Sequence, residues 1–431
     1  MTRLLQILFW SVIAAAFIGP GTVTTAASSG TRFGLSLLWA LLFSTIACLV
    51  LQEASARVAI VSNRTLAQAI RQRFSGGAVG WLVMVVVLGA IVLGCAAYQA
   101  GNILGSVAGA RLQIGLPAAF LTLIIGGAAG VLLFFGSTQF VARTLGIIVA
   151  LMGIMFLATA IMIKPSIAGL IKGTFVPALP PGSSLLVLGL IGTTVVPYNL
   201  FLGSGIAAGQ SLGELRFGLS VAIVVGGIIS MAILVVGTAI ALPFGFEALS
   251  GELSNRLGGW AGTFFAIGLF AAGFSSAVTA PLAAAVTARG LFETSGNGKW
   301  HEHSWRYRCV WLGVLLTGIV FGALNVKPIP AIILAQALNG ILLPFVAVFL
   351  WLIVNDRELM GGRGLNKPIP NLLMIAVVAV TITLGVAKTT QAFTSAFGLP
   401  AMSESTLVLA SAAVTAALAI PIIRLTIRLR R

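Results

Sequence analysis

Helix-breaking residues and side chains able to do chemistry coincide in two short stretches of this chain. The first is FIGPGTVTTAASSG, Phe17 to Gly30; the second is GTTVVPYN, Gly192 to Asn199. Proline removes a backbone donor and clashes with the preceding turn, and each glycine weakens a helix further. A helix containing either stretch is therefore interrupted, which frees carbonyls around Gly19 and Val195 and amides after Gly21. Pro20 and Pro197 fix the break points, with Val196 and Asn199 beside the second. Thr22, Thr193, Thr194 and Tyr198 add hydroxyls that can cap those amides or present oxygens to a substrate. Gln99, Asn102 and Asn339, in other apolar segments, add neutral amides. Thr24 and Thr25 belong to the same stretch, with back-bonding inside a membrane helix as their simpler role.

Groups that usually carry metal, proton or nucleophile chemistry are sparse. The chain has one aspartate, Asp356, in a loop, and of its glutamates only Glu53 lies near an apolar span. Glu53 precedes Arg57 by four residues, the spacing of an ion pair on one helix face; a gate or proton route is the alternative. His301 and His303, in KWHEHSW, read as solvated loop histidines, with surface metal binding as the other option. Cys48, Cys95 and Cys309 show no paired spacing and read as small apolar residues or loop thiols. No loop holds a nucleophile–base set or a cofactor fingerprint, so the chain reads as no enzyme and as needing no cofactor.

The elements that hold these residues are membrane helices. The 431 residues are 59% hydrophobic and 8% charged, against about a quarter charged in soluble domains. Continuous apolar runs of about 20 residues indicate helices, not a barrel. Twelve spans are expected, at about 4–27, 35–53, 79–107, 116–136, 143–163, 184–208, 217–243, 260–288, 309–323, 329–354, 369–387 and 404–424. The N-terminus has the look of a signal peptide, but its apolar character continues past Gly21, so it reads as a retained first helix. With both termini in the cytoplasm, eighteen of the basic residues fall on the cytoplasmic side and seven on the other, the bias expected of loops on that side. The net charge of +16 is thereby explained without nucleic acid. The breaks at Pro20 and Pro197 fall at comparable depths in the first and sixth spans, the arrangement of an inverted-repeat transporter with its site at the bilayer midplane. The halves are 1–164 and 165–356, with two further helices in 357–431.

The motifs also resemble a known family. IGPGTVTTAASSGTRFGLSLLWALL is similar to the first-helix region of the NRAMP divalent-metal transporters, and LQEASARVAIVSNRTLAQAIRQ to their second. GTTVVPYNLFLGSG, AAGFSSAVTAPLAA and ILLPFVAVFLWLIVNDRELMG resemble later family motifs in the same order, over about residues 5 to 360. The resemblance implies an all-α, LeuT-type 5+5 fold with helices 1 and 6 broken, and divalent metal transport. Pro20, Gly21, Pro197 and Asn199 match the family pattern. The family's metal-binding Asp, however, falls on Gly19, its Asn on Thr22, its sulfur ligand on Val196 and its carbonyl ligand on Thr193. The sixth-helix His becomes Tyr198, the third-helix acidic pair becomes Gln99 and Asn102, and the tenth-helix Gln falls on Leu342.

A dehydrated transition metal needs carboxylate, imidazole or sulfur, and burying its charge without them costs many kcal/mol. The expectation is therefore a secondary transporter in the plasma membrane with a neutral, remodelled site. It would suit a hydrated hard ion such as magnesium better than manganese or iron, and proton coupling is in doubt. A small neutral or zwitterionic solute on the same fold is the alternative, and a non-transporting sensor or partner-binding protein the second. The expected partners are the solute or ion and the bilayer, with the chain a monomer or weak oligomer.

Overall fold

The computed structural model describes residues 18–74, 76–135, 138–207, 209–293, 298–396 and 403–431. Among them regular structure is entirely helical. The first span resumes at α1 (Pro20–Phe33) and passes through a short 3₁₀ turn into α2 (Leu38–Ser62); its half before Ile18 lies outside the described residues. Then come α3 (Leu66–Phe74), α4 (Gly77–Arg111), α5 (Ala118–Phe135), α6 (Thr138–Ile163) and α7 (Ile167–Phe175). The sixth span is split into α8 (Ser184–Thr194) and α9 (Pro197–Ile206). The chain continues through α10 (Leu212–Gly237), α11 (Phe246–Leu257), α12 (Trp260–Phe292), α13 (Trp305–Ala323) and α14 (Pro328–Val354). It ends with α15 (Arg357–Gly364), α16 (Pro368–Ala396) and α17 (Glu404–Arg430).

Eleven of the expected spans appear as helices, the first is described only from Ile18 on, and the differences lie at their ends. The second runs to Ser62, nine residues past the expected 53, because QEASARVAIVS keeps helix-compatible spacing until Asn63 enters the left-handed region (φ 52°). The last runs to Arg430 and not 424, since arginines are favourable at a helix C-terminus. Helices α3, α7, α11 and α15 are too short or too polar to cross a membrane and were not expected. Local sequence explains several starts: Ser211, Ser304 and Ser403 accept the amides of Glu214, Tyr307 and Thr406, each three residues on, the usual N-cap geometry.

Ten apolar helices among the described residues are long enough to cross a membrane, with residues 20–62 taken as one. Their outer faces expose large aliphatic and aromatic side chains such as Trp81, Leu123, Phe135 and Ile161, which suits lipid and not water. Inside, α4 packs along α12, α13 and α14, α8 lies against α14, and α10 lies against α1 and α2. Small residues permit these close approaches. A Cβ on Gly30 would sit 2.0 Å from the Leu234 carbonyl oxygen, and one on Gly237 2.2 Å from that of Ala27, so α1 and α10 cross backbone to backbone.

Candidate functional site

The two breaks form as the sequence expects and meet in the core. Gly19 is extended (φ −118°, ψ −174°), Pro20 is the first helical residue, and no side chain caps the helix. The carbonyl of Gly19 accepts from the Val23 amide at 3.1 Å, so it is already engaged in the helix start. At the second break, Val195 and Val196 form a two-residue link with φ,ψ of −100°, 81° and −81°, 118°. The carbonyl of Thr193 would bond the amide of residue 197 in a continuous helix; Pro197 has none. The breaks are joined directly: Thr22 Oγ1 and Thr193 Oγ1 are 2.8 Å apart, both side chains buried.

Packing fixes each break against a neighbouring helix. The Pro20 ring rests on Gly105 of α4, where a Cβ would come within 2.2 Å of it. Gly192 faces α14, where a Cβ would come 2.0 Å from the Gln336 carbonyl oxygen. Gly21 lies against the Gln336 side chain, 2.1 Å from a would-be Cβ to Nε2. Ser276 of α12 faces Gly19.

Two residues at the breaks were not singled out from the sequence. Tyr98 of α4 donates its hydroxyl to the Gly192 carbonyl at 2.9 Å, satisfying an acceptor in the last turn of α8. Its ring stands edge-on to Tyr198, centroids 5.6 Å apart at 90°. Gln336 is the amide of the tenth span that reaches the first break, whereas the expected position Leu342 is a buried aliphatic in the same helix. The available signal was a lone polar residue inside an apolar run, Tyr98 in AAYQAGN and Gln336 in ILAQALNG.

The other expected amides hold helices together. Gln99 Nε2 donates to the Ala277 carbonyl at 3.0 Å, and Asn339 Nδ2 to those of Gly94 and Ala335 at 3.3 and 3.0 Å. Asn102 lies on the α4–α12 contact, its carbonyl beside Gly273. No hydrogen bond joins these three to the threonine pair among the described residues. Several buried polar atoms nonetheless lack a partner among the described residues: Gln99 Oε1, Asn102 Nδ2, Tyr198 OH, Asn199 Oδ1, Gln336 Oε1 and Asn339 Oδ1. So do the hydroxyls of Thr24 and Thr25, which therefore do not back-bond. Buried polar atoms are rarely left so, and this set is neutral throughout.

The charged and metal-capable side chains lie away from the threonine pair. Glu53 pairs with Arg57 at 3.2 Å, as its spacing suggests, and also with Arg216 of α10 at 2.9 Å. His301 and His303 lie with ring centroids 6.5 Å apart, and no group of three possible metal-ligating side chains occurs among the described residues. Cys48 and Cys95 are buried and Cys309 exposed, all unpaired.

With this geometry in hand, comparison with known proteins is decisive. The family described as natural resistance-associated macrophage protein-like, Nramp, matches residues 11–391. This chain belongs to the Nramp family. Among its Nramp relatives is the divalent metal cation transporter MntH of Deinococcus radiodurans, 28% identical and aligned over 88% of this chain and 89% of that protein. MntH of Verminephrobacter eiseniae is 27% identical over 85% and 84%. Crystal structures of the Eremococcus coleocola manganese transporter superpose with a TM-score of 0.75 at 19% identity, covering 99% of this chain and 96% of theirs. Mhp1, a nucleobase-cation-symport-1 family transporter, superposes at 0.57 and 13% identity over 98% and 92%. The Nramp chain is thus an all-α, multi-pass membrane protein with the LeuT-type inverted-repeat fold.

Proposed function

We propose that this Nramp chain is a secondary transporter of divalent cations whose site handles a hydrated hard ion, magnesium foremost, in place of a dehydrated transition metal. The cation class is supported by the relatives named divalent metal cation transporter. The choice of ion rests on one observation: the broken helices meet through two threonine hydroxyls, 2.8 Å apart, in a buried shell of hydroxyls and amides. Soft metals select thiolate, thioether or imidazole ligands; Val196 and Tyr198 stand where such ligands would be needed. Magnesium dehydrates reluctantly and usually keeps several waters at about 2.1 Å. Hydroxyl and amide oxygens accept hydrogen bonds from those waters without supplying charge. When the two halves move apart, Thr22 and Thr193 exchange each other for the ion's water shell.

Proton coupling through this route has no support, because membrane relays use Asp, Glu or His. Gln99 and Asn102 do not ionise near neutral pH, and Gln99 is committed to the Ala277 carbonyl. We further propose that residues 1–164 and 165–356 are the two repeats, with 357–431 appended. We also propose that both termini lie in the cytoplasm of a plasma-membrane protein, an orientation supported by the distribution of basic residues.

The test is reconstitution in liposomes with fluorescent reporters for magnesium and manganese. Magnesium flux that exceeds manganese flux, and that Thr22→Val or Thr193→Val abolishes, is the expected result. Manganese flux that exceeds magnesium flux overturns the choice of ion. Absence of flux for both, with thermal stabilisation by amino acids or similar solutes, favours a neutral or zwitterionic substrate. Absence of flux and of stabilisation favours a sensor or partner-binding role.

A further inference from the structure

Away from the helix breaks, a cluster of charged side chains surrounds the end of α17. Arg428 and Arg431 line one side of a cavity of about 340 Å³; Arg73 of α3 and residues 356–358 at the start of α15 line the rest. Four guanidinium groups there meet two carboxylates. Arg73 Nε lies 2.9 Å from Asp356 Oδ2. Asp356 Oδ1 in turn caps α15, accepting the amides of Glu358 and Leu359 at 2.9 and 3.3 Å. Glu358 approaches Arg73 at 3.9 Å and is 77% exposed. Among the described residues neither Arg357 nor Arg428 has a side-chain carboxylate partner; Arg357 Nη1 makes one long bond, 3.4 Å, to the terminal carboxyl oxygen of Arg431.

This wall is built into the fold and does not hang free. Arg430 turns away from the cavity, donating to Asn355 Oδ1 at 2.8 Å and to the Asn366 carbonyl, which pins the last turn of α17 to the α14–α15 corner. Toward the membrane, the same two outer helices expose aliphatic side chains: Ile420, Ile423 and Ile427 on α17, Ile369 and Leu372 on α16. An arginine-lined cavity at the end of a lipid-facing aliphatic strip matches a headgroup whose acyl chains lie along that strip.

We infer that this cavity binds a phosphate-ester anion, with Arg357 and Arg428 as its donors, and that the phosphate is that of an anionic phospholipid. Guanidinium forks suit phosphate oxygens and can bond them in pairs. The inference is independent of what the helix breaks transport.

Native mass spectrometry of the full chain, equilibrated with phosphatidylglycerol or phosphatidylcholine, tests it. Phosphatidylglycerol is expected to be retained at least tenfold over phosphatidylcholine. Arg357→Gln with Arg428→Gln should abolish that preference, each arginine near a membrane surface contributing roughly fivefold. Should the pair fail to fold, Arg428→Gln alone, on an exposed helix end, should lose roughly fivefold. Arg424→Gln, one turn earlier and outside the cavity, should retain the preference. Equal retention of the two lipids, or a preference unchanged in the Arg428 variant, overturns the inference. Displacement of phosphatidylglycerol by millimolar inorganic phosphate or glycerol 1-phosphate supports the phosphate chemistry but overturns the lipid source.

Discussion

At the scale of single residues, the Thr22–Thr193 pair is where identity decides chemistry. Each hydroxyl is buried, so converting either threonine to valine leaves the other without its bridge. The expected cost is about 1–3 kcal/mol for each single variant. The double variant should cost less than the two together, since both halves of one bond then leave. Thermal unfolding of the four proteins in a double-mutant cycle measures this; strict additivity would show that the hydroxyls do not share a bond. The same site can be asked to regain transition-metal chemistry. Gly19 is extended, so its backbone suits any residue, and among the described residues a Cβ there would have only Ser276 Oγ nearby, at 3.7 Å. Gly19→Asp, Thr22→Asn and Val196→Met together should supply a carboxylate, an amide and a thioether around one point. Calorimetry of the folded triple variant should then show manganese binding that the parent lacks. A silent titration would place these three positions away from a common centre.

The element scale explains why breaks in two membrane helices are stable. Each interruption exposes backbone groups in a region without free water, and a neighbouring helix answers it: Tyr98 supplies a donor to the Gly192 carbonyl, and Gly105 makes room for Pro20. Tyr98→Phe should therefore lower stability by about 1–3 kcal/mol, by leaving that acceptor unmet. Gly105→Ala should prove worse, because its new methyl would meet the proline ring at 2.2 Å. Gly205→Ala on α9, with nothing within 4 Å, should be neutral or stabilise by up to about 1 kcal/mol. Melting curves in one detergent rank the three, and equal effects of the two glycine changes would refute the packing argument. The contrast also shows what was legible beforehand. Pro20 and Pro197 announce their breaks because proline acts locally, whatever surrounds it. Tyr98 and Gln336 are placed by helix crossings far apart in sequence, and a single polar letter in an apolar run does not say which carbonyl or glycine it will meet. Thr24 and Thr25 misled for the same reason, since back-bonding is the local choice and burial against other helices overrode it.

For the whole molecule, transport by this fold requires one repeat or bundle to rock against the rest, so contacts that cross between moving parts matter more than their number. One chain of polar contacts has that position. Arg57 of α2, 5% exposed, donates to the Gly364 carbonyl and to Asn366 Oδ1. The Asn366 carbonyl accepts from Arg430 of α17, and Glu53, the ion-pair partner of Arg57, reaches Arg216 of α10. Helix α2 is in turn tied to the second half of the broken sixth span, Ser55 Oγ donating to the Leu200 carbonyl. Arg57 therefore links the elements carrying a break to the C-terminal helices. Its loss should release that link. Arg57→Met keeps the side-chain length and removes the donors. In a Cys309→Ser background, the buried Cys48 and Cys95 become reporters of opening. N-ethylmaleimide labelling of either should rise several-fold in the Arg57 variant, together with a measurable loss of stability as the Gly364 and Asn366 oxygens lose their donor. Lost stability with unchanged labelling would make Arg57 a structural staple; faster labelling at matched stability, restored by a lysine at 57 in proportion to the contacts it can remake, would make it the catch that the transport cycle must undo.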